Sequence, residues 1–425
     1  MCRNILILLI LSMLMFFGCS QAVPATPSVT PQFSPVTLAP VDEPLSVPVP
    51  ETLAITPPPL SITPASATPT LVHTAAPVPV VTTPVNLPPP LPSMEAFMKG
   101  IWFNDQPWAL DKPRPPMYGP MYFPPQTDPS LKSLATTGAN WIAVVVHLFQ
   151  ETITSTNITR HQYGTAPDIA LRQVIELAHS LGIRVALVPG IDFSSGLNQN
   201  WTLIGMYYNE PQWQEWFASY REHINHYASL SQDAGADMFY VGSELTGTTH
   251  RENDWRRIVK EVRERYKGPI SYDSLGGLAD LPNHEVERIQ WWDAVDFIAA
   301  DFWRPLTYKN DPTVEELKKA WINTGYLRTL EALSIQFKKP VILSEIGYDS
   351  HDGTNRDPGG KSIKAMPEDL QEQADCYRAA LEVMWGKPWL KGIFWWQWNA
   401  ISTPWSGDPH GKPAEDVLRE FYLTK

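Results

Sequence analysis

After residue 98 the chain alternates short apolar runs with longer amphipathic ones, and few folds accept such a pattern. Eight strand-like runs occur, at 98–103, 141–147, 184–189, 238–242, 269–273, 294–301, 341–345 and 392–396. Helix-like stretches lie near 129–137, 167–181, 211–233, 252–266, 284–292, 313–337, 368–386 and 414–422. Strand–helix–strand order makes successive strands parallel, joined by right-handed crossovers. Pro167-Asp168 and Pro367-Glu368 read as helix starts, and Gly138, Gly182 and Gly268 as helix stops. Eight such units predict an α/β fold, a closed (β/α)8 TIM barrel over residues 96–425. A doubly wound open sheet is the alternative, but no Gly-rich phosphate turn follows the first strand.

The first 95 residues follow other rules. Residues 1–19 carry Arg3 and an apolar run from Ile5 to Phe17, too short to span a bilayer comfortably. The run ends in Phe16-Phe17-Gly18-Cys19, which resembles the lipobox of bacterial lipoproteins. That resemblance implies a lipid on Cys19, tethering the mature chain to a membrane, with plain secretion as the alternative. Residues 20–95 hold twenty of the chain's 42 prolines and no Gly, Lys or Arg. Such a segment cannot build a packed core, so it is expected to be a disordered, extended linker. With net charge −12, nothing points to a nucleic-acid partner. The three cysteines are Cys2, Cys19 and Cys376, and none is expected in a disulfide. No Cys/His group has zinc-ligand spacing. Asp349, Asp352, Asn355 and Asp357 share one loop without calcium-loop spacing, so neither metal nor cofactor is expected.

Two of the eight strands end alike: 237–244 runs Asp-Met-Phe-Tyr-Val-Gly-Ser-Glu, and 341–345 runs Val-Ile-Leu-Ser-Glu. A carboxylate ending a buried strand is costly unless it has partners, and strand C-termini are where barrel active sites sit. Glu244 and Glu345 are therefore the candidate catalytic residues. Two carboxyl groups facing each other across a rim suit glycosidic-bond cleavage. One attacks the anomeric carbon, the other protonates the leaving oxygen, and retention requires a separation of ~5–5.5 Å. Sugar clefts also need aromatic faces and a few polar groups. All 17 tryptophans follow residue 100. Trp102, Trp303, Trp396, Trp398 and Trp405 fall at or after strand ends, whereas Trp213, Trp216, Trp255, Trp321 and Trp385 read as core. His147 ends the second strand and is a candidate for touching substrate. Tyr272 and Tyr308 are candidate donors to Glu345, and Tyr272, with Trp102, Trp303, Trp396 and Trp398, is a candidate for binding substrate.

With the Ser-Glu strands fourth and seventh in order, residues 98–425 resemble clan A glycoside hydrolases, and most closely family 113, the endo-β-mannanase family. The likeness rests on 213–227, Val241-Gly-Ser-Glu-Leu, Trp292-Asp-Ala-Val-Asp-Phe-Ile, Asp301-Phe-Trp-Arg-Pro-Leu, Ser344-Glu-Ile-Gly-Tyr and Gly392-Ile-Phe-Trp-Trp-Gln-Trp. It implies that Glu244 is the acid/base and Glu345 the nucleophile. It also implies that Trp396 floors the subsite beside the cleaved bond, and that Asp301 is a polar group near it. Two departures stand out. The chain has Leu-Val-Pro-Gly-Ile-Asp at 187–192 where the family usually carries Lys-Pro-His, and Phe302-Trp303 where a Tyr is usual. The expected partner is a β-linked polysaccharide or oligosaccharide, with β-1,4-mannan favoured. A glucan or xylan hydrolase and a polysaccharide-binding barrel without catalysis are the alternatives.

Overall fold

The computed structural model describes residues 89–104, 121–195, 200–276, 284–359, 366–400 and 407–424. Residues 1–88, with the signal segment, Cys19 and most of the linker, lie outside the described residues, as does Trp405. Eight strands pair in chain order and close into a barrel, every pair parallel. They are β1 (Met98–Asn104), β2 (Trp141–Gln150), β3 (Arg184–Phe193), β4 (Met238–Ser243), β5 (Ile270–Ser274), β6 (Ile298–Phe302), β7 (Val341–Ile346) and β8 (Leu390–Asn399). The intervening helices are α1 (Pro124–Ala135), α2 (Asp168–Ser180), α3 (Glu210–Ala234), α4 (Glu252–Arg265), α5 (Glu285–Arg288), α6 (Val314–Asn323), α7 (Tyr326–Phe337), α8 (Leu370–Met384) and α9 (Pro413–Thr424).

Side chains alternate between two cores. Met98, Trp102, Ala143, Val188, Met238, Tyr240, Ala299, Ile342 and Phe394 fill the barrel interior. Their sequence neighbours, such as Ile101, Val144, Val241 and Leu343, pack outward against the helices. Strands buried on both faces must be apolar throughout, which explains the runs in the sequence. Behind β4 and β5 the outer layer is an aromatic stack. Trp255 lies 5.2 Å from Trp291 with nearly parallel rings, and 5.1 Å from Tyr272. The stack needs Gly242, since a Cβ there would sit 2.6 Å from the Tyr220 hydroxyl. Truncating a buried ring of this kind costs about 3–5 kcal/mol.

Several boundaries differ from the sequence expectation. The helix near 129–137 begins at Pro124, because proline suits a first turn whose N–H groups are unpaired anyway. The stretch 313–337 is two helices, α6 and α7, parted by Gly325 at φ 74°. The sixth strand starts at Ile298; Trp292–Ala294 form a 3-10 turn beforehand. At the N-terminal end of the barrel, Arg184 Nε donates to the Pro92 carbonyl at 2.7 Å, and Lys391 Nζ to the Glu95 carbonyl at 2.8 Å. No helix among the described residues is long and apolar enough to cross a membrane.

Candidate active site

The C-terminal ends of β4 to β7 deliver four carboxyl groups to one place. Simple alternation from Ile342 would turn Glu345 out of the lumen, and an irregularity in the ladder reverses it; Glu244 shares the inward parity of Met238 and Tyr240 and is set by the irregular end of β4. Between β4 and β5 the register shifts, so that Tyr240 faces Ser271 while Ser243 faces Asp273. Glu244, the next residue, has φ 51°, a left-handed conformation rare outside glycine and found at functional sites. Between β6 and β7, Ala300 pairs with Leu343 but Asp301 with Glu345, so an extra residue at Ser344 turns Glu345 toward the lumen. One carboxylate oxygen from each of Glu244, Asp301 and Glu345 lies within 4.8 Å of the other two.

The four groups differ in access. Glu244 and Glu345 keep 9% and 8% of their surface open to the cleft, whereas Asp273 and Asp301 have none. Burial is the first cause raising every carboxyl here above its ordinary range. For Glu345, the charges of Asp273 and Glu244 add to burial, while the Trp303 indole N–H, 3.2 Å from Oε2, works against it. For Glu244, burial is opposed first by a hydrogen bond with Asp301. The Asp273 charge then pushes it up, and the Trp201 indole N–H, 2.7 Å from Oε2, pulls it down.

The other expected site residues are distributed unevenly. Trp303 touches Glu345 and is held there by Gly347, where a Cβ would sit 2.9 Å from its ring. Trp396 is half-buried, with its ring 5.3 Å from that of Trp102. Trp102 is 4% exposed and donates to the Ser344 carbonyl at 2.7 Å. It therefore braces Trp396 and the β7 bulge from below and does not line the cleft. His147 is half-buried near the end of β2, opposite Gly190 of β3. Asp301 is fully buried, beneath the glutamates.

Two residues expected to bind substrate face away from it. Trp398 is fully buried against α1, donating to Ser130 Oγ at 3.1 Å and stacking on His410. The β1–β8 register shifts between Ile101 and Phe103, and this one-residue slip reverses the side to which Trp398 points. Tyr272 also points outward. Its hydroxyl donates to Glu285 Oε1 and accepts from the Leu245 N–H, both at 2.7 Å. Glu285, raised by burial to about 7, also takes Thr246 Oγ1 and the Leu275 N–H. Tyr272 thus ties the loop carrying Glu244 to the loop after β5. Tyr308 is 81% exposed and makes no approach to Glu345.

Trp201 and Asp273 are site residues that pattern reading missed. Trp201 opens a 3-10 turn, Trp201–Leu203, with Asn200 as its cap. Trp201→Phe keeps an aromatic face but removes the N–H that favours ionised Glu244. Glu244 then holds its proton to higher pH, and with Glu244 as general acid the alkaline limb of kcat/KM is expected to move up. A pH profile with both limbs unmoved would show that the contact has no electrostatic role.

The loop after β7 is closed by protein groups. Glu372 accepts from the Gly353 and Asn355 N–H groups and from Asn355 Nδ2. Asp349 is raised by burial to about 7. Asp311, Asp369 and Glu372 also bring oxygens within 4.8 Å of one another, but Asp369 caps α8 and Glu372 serves the loop.

A (β/α)8 barrel with paired carboxyls at the ends of β4 and β7, flanked by partly open indoles, is the arrangement of a glycoside hydrolase. The comparisons make this specific. The profile of Glycoside Hydrolase Family 113 matches residues 119–407, and the chain belongs to that family. Among solved structures, a β-1,4-mannanase of family 113 aligns at 25% identity with TM-score 0.65, over 78% of this chain and all of its own. The family 113 β-mannanase of Alicyclobacillus acidocaldarius, in complex with ManMIm, aligns at 25% identity and TM-score 0.64, over 77% of this chain and 97% of its own. A family 5 mannosidase from Rhizomucor miehei shares the fold at 12% identity, TM-score 0.54, with 77% and 93% covered. No curated protein matches.

Proposed function

We propose that this hydrolase cleaves β-1,4-linked mannan by double displacement with retention, Glu345 as nucleophile and Glu244 as acid/base. The observation that carries the reading is the closeness of the two carboxyl groups, whose oxygens approach within 4.8 Å. That suits direct attack on the anomeric carbon and leaves no room for the extra water an inverting enzyme places between its carboxyls at ~6.5–9.5 Å. Burial raises the Glu244 carboxyl above its ordinary range, the direction a general acid needs. The Trp303 N–H favours the ionised form of Glu345 against the burial and neighbouring charges that raise that carboxyl well above its ordinary range. Mannan is favoured by the family 113 mannanases to which the chain is similar. A second β-glycan remains a competing substrate because of 187–192. At Gly190 a Cβ would meet only Val145, at 3.7 Å, so that wall of the cleft lacks the side chains that Lys-Pro-His would supply. Turnover on mannan, glucan and xylan oligosaccharides, with proton NMR of the first-formed anomer, tests both parts. A first product of inverted configuration would end the retaining reading.

The reading extends to location: Cys19 carries a lipid that tethers the enzyme outside the cytoplasm, with the proline-rich segment as its spacer. The Gly18-Cys19 end of the apolar run supports this. Cys19→Ala is expected to move the protein from the membrane fraction to the soluble one. Unchanged membrane association would remove the lipid from the account.

A further inference from the structure

Beneath the two glutamates lies a second pair of acids that the reaction as written does not use. Asp273 and Asp301 are fully buried on adjacent strands. Each has one oxygen served by a serine: Ser243 Oγ donates to Asp273 Oδ2 at 2.9 Å, and Ser344 Oγ to Asp301 Oδ1 at 3.2 Å. The remaining oxygens, Asp273 Oδ1 and Asp301 Oδ2, are buried and accept no hydrogen bond from an N–H or O–H group among the described residues. A buried carboxylate oxygen without a donor is strongly unfavourable. Yet the two side chains stand on paired strands and act on each other electrostatically, and an Asp301 oxygen lies within 4.8 Å of one from Glu244. Carboxylates have no hydrogen of their own, so acid groups this crowded, with two oxygens unpartnered, are relieved by sharing a proton.

We propose that Asp301 is a neutral carboxylic acid throughout the reaction, with its proton on Oδ2, and that it positions Glu244 by donating to that residue whenever it is ionised. The inference rests on the reading of Glu244 as acid/base. In the first step Glu244 is neutral, and the Asp301 proton serves Asp273 Oδ1. Once Glu244 has protonated the leaving group it is an anion in a poorly hydrated site, and the Asp301 O–H can then steady it until water is deprotonated in the second step. Asp301 is the member kept neutral because its neighbours are the most acidic in number. Asp273 from β5, Glu345 from β7, and Glu244 with Tyr240 from β4 all face it. The other strands face the lumen with apolar groups such as Trp102, Val188 and Phe394, apart from His147 near the end of β2. Burial and those charges both push its proton affinity well up. The same rationale explains a paired Ser before each catalytic Glu: each serine holds one aspartate oxygen and so selects which oxygen shares the proton.

Infrared spectroscopy tests the proton without reference to turnover. The difference spectrum of Glu244→Gln minus Glu244→Gln/Asp301→Asn should show a neutral carboxylic-acid carbonyl band from neutral to mildly alkaline pH. Absence of that band overturns the proposal even if the glutamates prove catalytic. If the band is present but Glu244→Gln is fully active, the acid/base reading fails instead. Kinetics test the positioning role. Asp301→Asn keeps a neutral donor, so the rate falls but both limbs of the pH profile should stay in place. If Asp301 were an anion in the wild type, Asn would remove a repulsive charge and both limbs would move to lower pH, overturning the proposal. Asp301→Ala, lacking any donor, should slow the second step at least about tenfold more than Asp301→Asn. Equal slowing in the two variants would mean that the side chain only fills space. Activity lost on chelation and restored by a divalent cation would also overturn it, since a cation would then balance the charge.

Discussion

Glu345→Ala is expected to reduce kcat/KM by at least about 10⁴-fold, with no loss of stability. The rate loss follows from the role: without a nucleophile the double displacement cannot start, and what remains is substrate binding plus a misdirected general acid. The stability expectation follows from crowding. Glu345 is buried near Asp273 and Glu244, and repulsion from their charges is part of what raises it above the carboxylate range. Removing it relieves that repulsion, the usual sign of a site whose function opposes stability. Thermal unfolding should therefore occur at the wild-type temperature or above, which separates lost chemistry from lost folding. Azide can occupy the space left by the side chain and attack the sugar from the nucleophile's side, giving an α-glycosyl azide. If Glu345→Ala stays within about a hundredfold of wild type, or rescue gives a β product, Glu345 is not the nucleophile.

The barrel was legible because its parallel strands are buried on both sides and must be apolar over their whole length, while its helices carry the polar surface. The Ser-Glu endings were legible because a charge at the end of an apolar run is physically expensive and occurs twice. Less visible was anything that depended on register. Trp398 follows Trp396 by two residues and should share its side of the strand, but one shift against β1 sends it into the helix layer. Tyr272 sits one residue from Asp273, and the same alternation that turns Asp273 inward turns Tyr272 out to Glu285. Asp273 itself ended a predicted strand as plainly as the glutamates did. Its partner Ser243 was the available signal, since a hydroxyl beside each Glu has to donate somewhere. Trp201 left no pattern at all. It lies outside every strand and helix-like run, and its approach to Glu244 depends on how the β3–α3 connection folds back over β4. One link in that path is the Gly247 N–H, which donates to the Thr202 carbonyl at 2.9 Å.

Glu244→Ala should be severe in a different way, and the difference identifies its role. A general acid contributes about 10²–10⁴-fold, but only where the leaving group needs a proton. On mannan oligosaccharides the full loss is expected. On an aryl glycoside whose phenolate leaves unaided, the first step should be nearly normal while the second, which needs Glu244 as base, stays slow. Glycosyl-enzyme then accumulates, so such a substrate should show a burst of aryl release followed by slow turnover, with a lowered KM. Azide needs no base and should restore turnover, giving a β-glycosyl azide because it attacks the intermediate from the leaving-group side. The pH profile supplies an independent check. Burial raises the Glu244 carboxyl above its ordinary value, so the acid form persists into the working range and activity falls as pH rises through that raised value. Glu244→Ala should lose this alkaline limb on the activated substrate and keep the acidic limb set by Glu345. Equal losses on both leaving groups, with the alkaline limb intact, would assign the proton to another residue.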